Sequence, residues 1–285
     1  MASDISKCIS SNSVRHGSSL VLAPDKTALT NNIITDHSLT NPSVSSIETR
    51  YDARFDDPTY YGGGGLLLGL VASYRLDEES GVRYDRSNNG RHLTDNNTVG
   101  SASGKVGVAA DFTESNSEYL SLANASLGGI SPGSTDFTIS FWIYFKNSGF
   151  TGQQFVGGIW KTSGSEREWL FLLDGSQELG FYTSANGSSE TSIKSGELSD
   201  STWYHIVVTH DNTGGARKLY VNNSAVSNDS NVTINQGDGD FQLGNTQNSS
   251  DYLNGYLDEF NMWNKVLTTD NIANLYNSGN GKHVR

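Results

Sequence analysis

From Leu66 onward the chain alternates. In "FTISFWIYF" (137–145), Phe137, Ile139, Phe141, Ile143 and Phe145 fall on one side of an extended backbone, and Thr138, Ser140, Trp142 and Tyr144 on the other. A period of two fits a strand with one face on a core; an amphipathic helix would need a period near 3.6. Nine more segments carry strand signals: "LVASYRL" (70–76), "VAADF" (108–112), "EYLSL" (118–122), "EWLFLLD" (168–174), "LGFYT" (179–183), "TWYHIVVTHD" (202–211), "RKLYVNN" (217–223), "DFQLG" (240–244) and "GYLDEFNMW" (255–263). Gly, Asn and Ser cluster between them as turns. Many short strands with no helices between them predict an all-β, antiparallel two-sheet sandwich. One short helix closes the pattern. Thr268 or Thr269 can cap it, Asp270 sits in its first turn, Ile272, Leu275 and Tyr276 share a face, and Gly279 stands just past its end. Its expected role is to cover a sheet edge or an end of the core.

Residues 1–65 read differently. They are polar, with weak periodicity, and end in the glycine run Gly62–Gly65, a linker signal. Tyr51, Phe55, Tyr60 and Tyr61 stand close together just before it. Two readings stay open: a disordered tail, or an arm that folds on a partner through these aromatics. The expected division is an irregular arm over 1–65 and a β-domain over 66–285. The formal net charge of -12 disfavours nucleic-acid phosphates and anionic lipid. No stretch approaches the ~18–20 apolar residues of a membrane span. The opening "MASDISKCISSNSVRHG" shows no apolar secretion-signal core. The single Cys8 excludes an internal disulfide and lies in no site-like context.

The segments "GLVASYRLDEESGVRYDRSNNGRHLT", "GKVGVAADFTESNSEYLSLANA", "DFTISFWIYF", "STWYHIVVTHD", "RKLYVNNSAV" and "NGYLDEFNMWNKVLTTDNIANLYNSG" follow one another in an order that resembles laminin-G-like, concanavalin A-like jelly-roll domains. The resemblance covers about residues 69–279 and leaves out the arm. It implies two antiparallel sheets in a jelly roll, with the ends of the domain close together. Known relatives of this kind are mostly non-catalytic modules of adhesins, secreted glycosidases and phage virions.

The acidic pair Asp258 and Glu259 needs a reading. On a regular strand the two point to opposite faces and cannot share one substrate. A glycosidase needs two carboxylates ~5–9.5 Å apart beside one cleft. The E-x-D-x-E strand of related glucanases is missing: Glu166 and Glu168 have neither an intervening Asp nor a third acid. No enzyme activity is expected. The family resemblance implies calcium, with Asp85 and Asp258 as side-chain ligands and Asn88 or Asn89 adding oxygens from the loop "YDRSNNGRH". Arg91 stands where relatives often carry Asn, so a metal-free network with an Arg91–Asp258 pair is the alternative. For a sugar, the ring candidates are Trp160, Trp169, Tyr182, Tyr252 and Trp263; most should be core, Trp169 and Trp263 above all, and Tyr252 is the best exposed, with Trp160 beside it as the ligand-binding choice. Histidine spacing gives no zinc motif, and neither a serine-hydrolase elbow nor a phosphate loop occurs.

Two function classes follow. One is a virion component, a phage capsid decoration or tail protein displaying the jelly roll, with other virion proteins or further copies as partners of the arm. The other is a carbohydrate-binding module of a bacterial surface or secreted protein, with glycans as partners. Deleting residues 1–61 tests the arm. The truncated protein is expected to keep its cooperative melt and to lose incorporation into particles or oligomers. Normal assembly, or loss of folding, overturns the anchoring role.

Overall fold

The computed structural model describes residues 64–146, 152–247 and 249–284, together with the backbone of 14–16 and 19–21. The anchoring candidates Tyr51, Phe55, Tyr60 and Tyr61 lie outside the described residues. The chain divides between Gly62 and Gly63. In the first unit, β1 (Val14–His16) pairs with β2 (Ser19–Val21) antiparallel.

In the second unit a helical turn, α1 (Gly64–Leu67), leads into β3 (Leu70–Tyr74), β4 (Thr94–Asn96), β5 (Gly100–Ser103), β6 (Val108–Phe112), β7 (Tyr119–Leu122), β8 (Phe137–Phe145), β9 (Gln154–Lys161), β10 (Glu166–Leu173), β11 (Glu178–Ser184), β12 (Glu190–Glu197), β13 (Trp203–Asp211), β14 (Ala216–Val221), β15 (Ser224–Asp229), β16 (Phe241–Leu243) and β17 (Gly255–Trp263), then α2 (Thr269–Tyr276). The first sheet runs β12-β11-β10-β9-β16-β7-β4. The second runs β15-β14-β13-β8-β17-β6-β5, with β3 also on β17. Neighbouring strands are antiparallel. The molecule is therefore the expected mostly-β, two-sheet sandwich with one short C-terminal helix.

The alternation sorts as read. Phe137, Ile139, Phe141, Ile143 and Phe145 of β8 enter the core between the sheets. There Phe141 meets Phe171 of the other sheet edge-to-face, with ring centroids 4.8 Å apart, a geometry favoured by the ring quadrupoles. Five strands of the second unit escaped the sequence pattern. Four of them, β4, β5, β12 and β15, are the edge strands of the two sheets. Edge strands bury little on either face, and polar residues there discourage further pairing, so they carry no apolar alternation. The fifth, β9, is hidden by Gly157 and Gly158. A Cβ at Gly158 would fall 2.2 Å from the Trp169 carbonyl oxygen, so the close approach of β9 to β10 excludes any larger residue.

The terminal helix covers the outer face of the second sheet, and not the sheet edge or end of the core expected for it. Thr268 caps it by accepting from Asn271 N. Its C-terminal left-handed residue is Asn277 rather than Gly279 alone. Ile272 and Leu275 pack with Val207, Tyr220, Trp263 and Leu66 on the outer side of the second sheet. Trp263 Nε1 donates to the Leu66 carbonyl at 2.6 Å and Lys265 Nζ to that of Gly65 at 2.5 Å. These donors satisfy end-of-turn carbonyls that would otherwise be orphaned. Gly64 and Gly65 therefore open a helical turn of the domain instead of continuing the linker.

One buried charge links the sheets, and one buried carboxyl ties a loop to the first sheet. Arg217 of β14 donates to Thr183 Oγ1 at 2.6 Å and to the Thr191 carbonyl at 3.2 Å, and pairs with Asp229 of β15. It closes the sandwich edge between β12 and β15. Glu168 accepts from Ser131 Oγ at 2.7 Å and Gly133 N at 3.0 Å. Burial pushes its carboxyl up to about 7. A carboxyl raised above its unfolded value stabilises the fold when protonated, and that contribution is lost as pH rises through the folded value. Denaturant titrations should show stability falling between about pH 4.5 and about pH 7, with Glu168 contributing on the order of 3 kcal/mol. Glu168→Gln should remove that part of the slope. An unchanged slope in the variant contradicts the assignment.

Candidate functional site

The four residues expected to share calcium fall into two separate polar knots. In the first, Asp85 is buried. Its Oδ1 accepts from Ser73 N at 3.1 Å and Ser87 N at 2.8 Å, and its Oδ2 from Arg91 N at 3.1 Å. Asn89 donates to the Val71 carbonyl at 2.9 Å, and Asn88 is an exposed left-handed turn residue. These bonds pin the 84–92 loop to β3. In the second knot, Asp258 Oδ2 accepts from Val106 N at 2.8 Å, in the loop before β6. Asp258 Oδ1 has no hydrogen-bond partner among the described residues, and burial pushes the carboxyl up to about 7. No described hydrogen bond joins the two knots. Arg91 turns from Asp258 and donates to the Val71 carbonyl at 2.6 Å, so the expected Arg91–Asp258 pair is not formed. With both Asp85 oxygens occupied by main-chain donors, the set as arranged does not fit one shared ion. Among the described residues no three His, Cys, Asp or Glu side chains gather to hold a metal.

The acidic pair does not split between faces. The register of β17 on β8 shifts between Asp258 and Asn261, and Glu259 adopts φ 51°. Leu257, Phe260 and Met262 enter the core while Trp263 packs outside. The extra residue of this bulge leaves Asp258 and Glu259 both on the outer side, since two residues oppose one. Both are buried there, and Glu259 Oε1 lies 2.5 Å from His283 Nδ1 of the tail. Enclosed and tied in this way, they have no access to substrate. Glu168 is likewise buried, and Glu166 accepts from Asp238 N at 2.8 Å.

The ring candidates separate by burial. Trp160 packs with Leu170 and Leu172 and is 3% exposed, so its face is not available to a sugar. Trp169 and Trp263 are core residues. Tyr252 is half-buried, 6.4 Å from the Tyr119 ring. The more prominent group is one that sequence reading passed over: Tyr144, Trp203 and Tyr256. They sit opposite one another on β13, β8 and β17, in the order Trp203–Tyr144–Tyr256, and Asp111 of β6 follows Tyr256 in the same row. All three rings are half-buried, on the outer side of the second sheet. Their centroids lie 5.6 Å (Tyr144–Trp203), 5.0 Å (Tyr144–Tyr256) and 6.2 Å (Trp203–Tyr256) apart. Lys146 pairs with Asp111, donates to the Phe112 carbonyl at 2.9 Å, and holds its ammonium 4.8 Å from the Tyr256 ring centre.

A signal for this group was present. Tyr144 and Trp203 fall on the polar side of their strands, where a large ring has no core to fill. Part of this outer face is roofed: α2 and the tail cover Trp142, His205 and Trp263, with Tyr276 stacked 5.8 Å from Trp142. The roof stops short of the aromatic row. Rings beside a paired ammonium and carboxylate suit stacking and hydrogen bonding, the two elements of sugar recognition. The row contains one carboxylate, already paired with Lys146, and so lacks the two acids of a glycosidase.

No curated protein matches the chain in sequence. Solved structures do match in fold. The binding domain of paraclostridial mosquitocidal protein 1 superposes with TM-score 0.63 at 18% identity, over 75% of this chain and 53% of that one. The binding domain of botulinum neurotoxin DC in complex with SialylT gives 0.58 at 16% identity, over 75% and 52%. The binding domain of the same toxin in complex with rat synaptotagmin II gives 0.56 at 16%, over 74% and 52%. The chain thus spans about half the length of these neighbours. Residues 114–273, more than half of the chain, match the family model Laminin_G_3, and the chain belongs to this family of the concanavalin A-like lectin/glucanases superfamily.

Proposed function

We propose that the protein is a non-catalytic glycan-binding protein, and that Trp203, Tyr144 and Tyr256 form its sugar-stacking surface. The observation that carries this reading is the half-buried aromatic row beside the part of the face that α2 and the tail roof over. Leaving three large rings only partly buried forgoes burial that elsewhere contributes about 25 cal/mol per Å2, and contiguous apolar patches mark binding surfaces. The Lys146–Asp111 pair at the row's end supplies a donor and acceptors for hydroxyl groups. Two fold neighbours lend support by their own ligands: one was solved with SialylT, and another concerns entry of botulinum neurotoxin type C through two ganglioside molecules. The virion setting expected from the sequence adds a place for this activity: the arm would anchor the protein, and the jelly roll would face outward and bind.

A glycan array followed by calorimetry tests the reading. Trp203→Ala and Tyr256→Ala should each weaken binding at this surface tenfold or more, a loss of about 1.4 kcal/mol, while the far-ultraviolet circular dichroism stays native. Failure of every arrayed glycan to bind, or binding that both variants leave unchanged, overturns it.

A further inference from the structure

We infer a second carbohydrate site on the opposite side of the sandwich, on the outer face of the first sheet around Tyr182, with a neutral sugar ring as its ligand. The Tyr182 ring lies over Gly180: a Cβ there would fall 2.4 Å from ring carbon Cε2 and 3.0 Å from Cζ. Glycine at 180 is what lets the ring lie against the strand, leaving its other face turned away from the sheet. Tyr182 is half-buried, above a floor of buried Leu170 and Leu172.

Polar groups stand at its edge. Lys194 lies beside Gly180 on β12, and its ammonium bridges Asp174 Oδ2 at 2.6 Å and Glu178 Oε2 at 3.3 Å. The three side chains are 37%, 16% and 33% exposed, so all can be reached. An open ring face with an ammonium and two carboxylates at its edge matches a pyranose, whose C–H face stacks while its hydroxyls donate and accept. Two carboxylates against one ammonium disfavour an acidic sugar, so the ligand is neutral.

The extent of the open surface follows from the same face. Leu170, Gly158 and Gln242, which continue the row opposite Tyr182 across β10, β9 and β16, are all buried, so the accessible surface is confined to the Tyr182 ring and the charged edge beside it.

This site stands on residues separate from the Tyr144–Trp203–Tyr256 row, so each can fail alone. Saturation-transfer NMR with lactose, maltotriose and cellotriose at millimolar concentration tests it, using the full chain carrying Trp203→Ala and Tyr256→Ala to silence the first row. At least one of these probes should still bind that protein. Adding Tyr182→Ala or Lys194→Ala should reduce the signal at least fivefold, whereas Tyr182→Phe, which keeps the ring, should retain it. Melting curves verify that each variant is folded. The inference is overturned if none of the probes binds the silenced protein, or if folded Tyr182→Ala and Lys194→Ala versions bind as well as their parent. If the wild type binds only through Trp203 and Tyr256, the first reading stands and this one falls.

Discussion

The closure of this jelly roll depends on β17. The last strand lies inside the second sheet, with β8 along one edge and two different partners along the other. Gly255–Leu257 pair with β6, and Phe260–Trp263 with β3. One edge can serve two strands only if the backbone changes direction between them, and the bulge at Asp258–Asn261 supplies that change. The acidic pair sits at this joint. Asp258 holds the loop that leads into β6, and Glu259 meets His283 of the returning tail. Its chemistry is that of a fastening buried between segments distant in sequence. Because every partner of β17 comes from much earlier in the chain, the sheet completes only after long loops have closed, the situation in which folding is slow.

The joint also decides what the outer face can present. Beyond the bulge, Trp263 turns outward and recruits Leu66, Leu267, Ile272 and Leu275 into a second apolar layer. Before the bulge, Tyr256 turns outward beside Tyr144 and Trp203, where no helix reaches. The same strand thus contributes a sealed half and an open half. The Trp263–Leu66 hydrogen bond fixes the boundary between them by drawing the start of the domain onto its end.

The first sheet reaches an open face by another route. It has no helix over its outer side among the described residues, and its apolar cluster of Trp160, Leu170 and Leu172 is enclosed by neighbouring side chains, including the Arg167 guanidinium 5.5 Å from the Trp160 ring centre. Tyr182 lies against the sheet because the residue beneath it is glycine. Ring availability is therefore set by local packing. Trp160 is sealed on one strand while Tyr182 is half-open two strands away.

Much of the fold was legible in the sequence because one-sided burial imposes a period of two. β8 and β17 were read with their observed limits, and the capped helix at 269–276 follows from Thr268, Ile272 and Leu275. The edge strands β4, β5, β12 and β15 were not legible, since a strand that buries little leaves no apolar pattern. The site was less readable still. The family resemblance brought Asp85 and Asp258 together, while regular alternation split Asp258 from Glu259, and a single inserted residue reversed that second expectation. Sequence also favoured Trp160 over Tyr144, Trp203 and Tyr256, since residue type says how large a ring is and nothing of what lies above it. The sequence by itself determined the sandwich, most of its strands and the absence of a carboxylate pattern for hydrolysis. Which aromatics are sealed and which meet solvent was decided only by tertiary structure, because exposure depends on where α2, the tail and the bulge come to rest over residues far away in the chain.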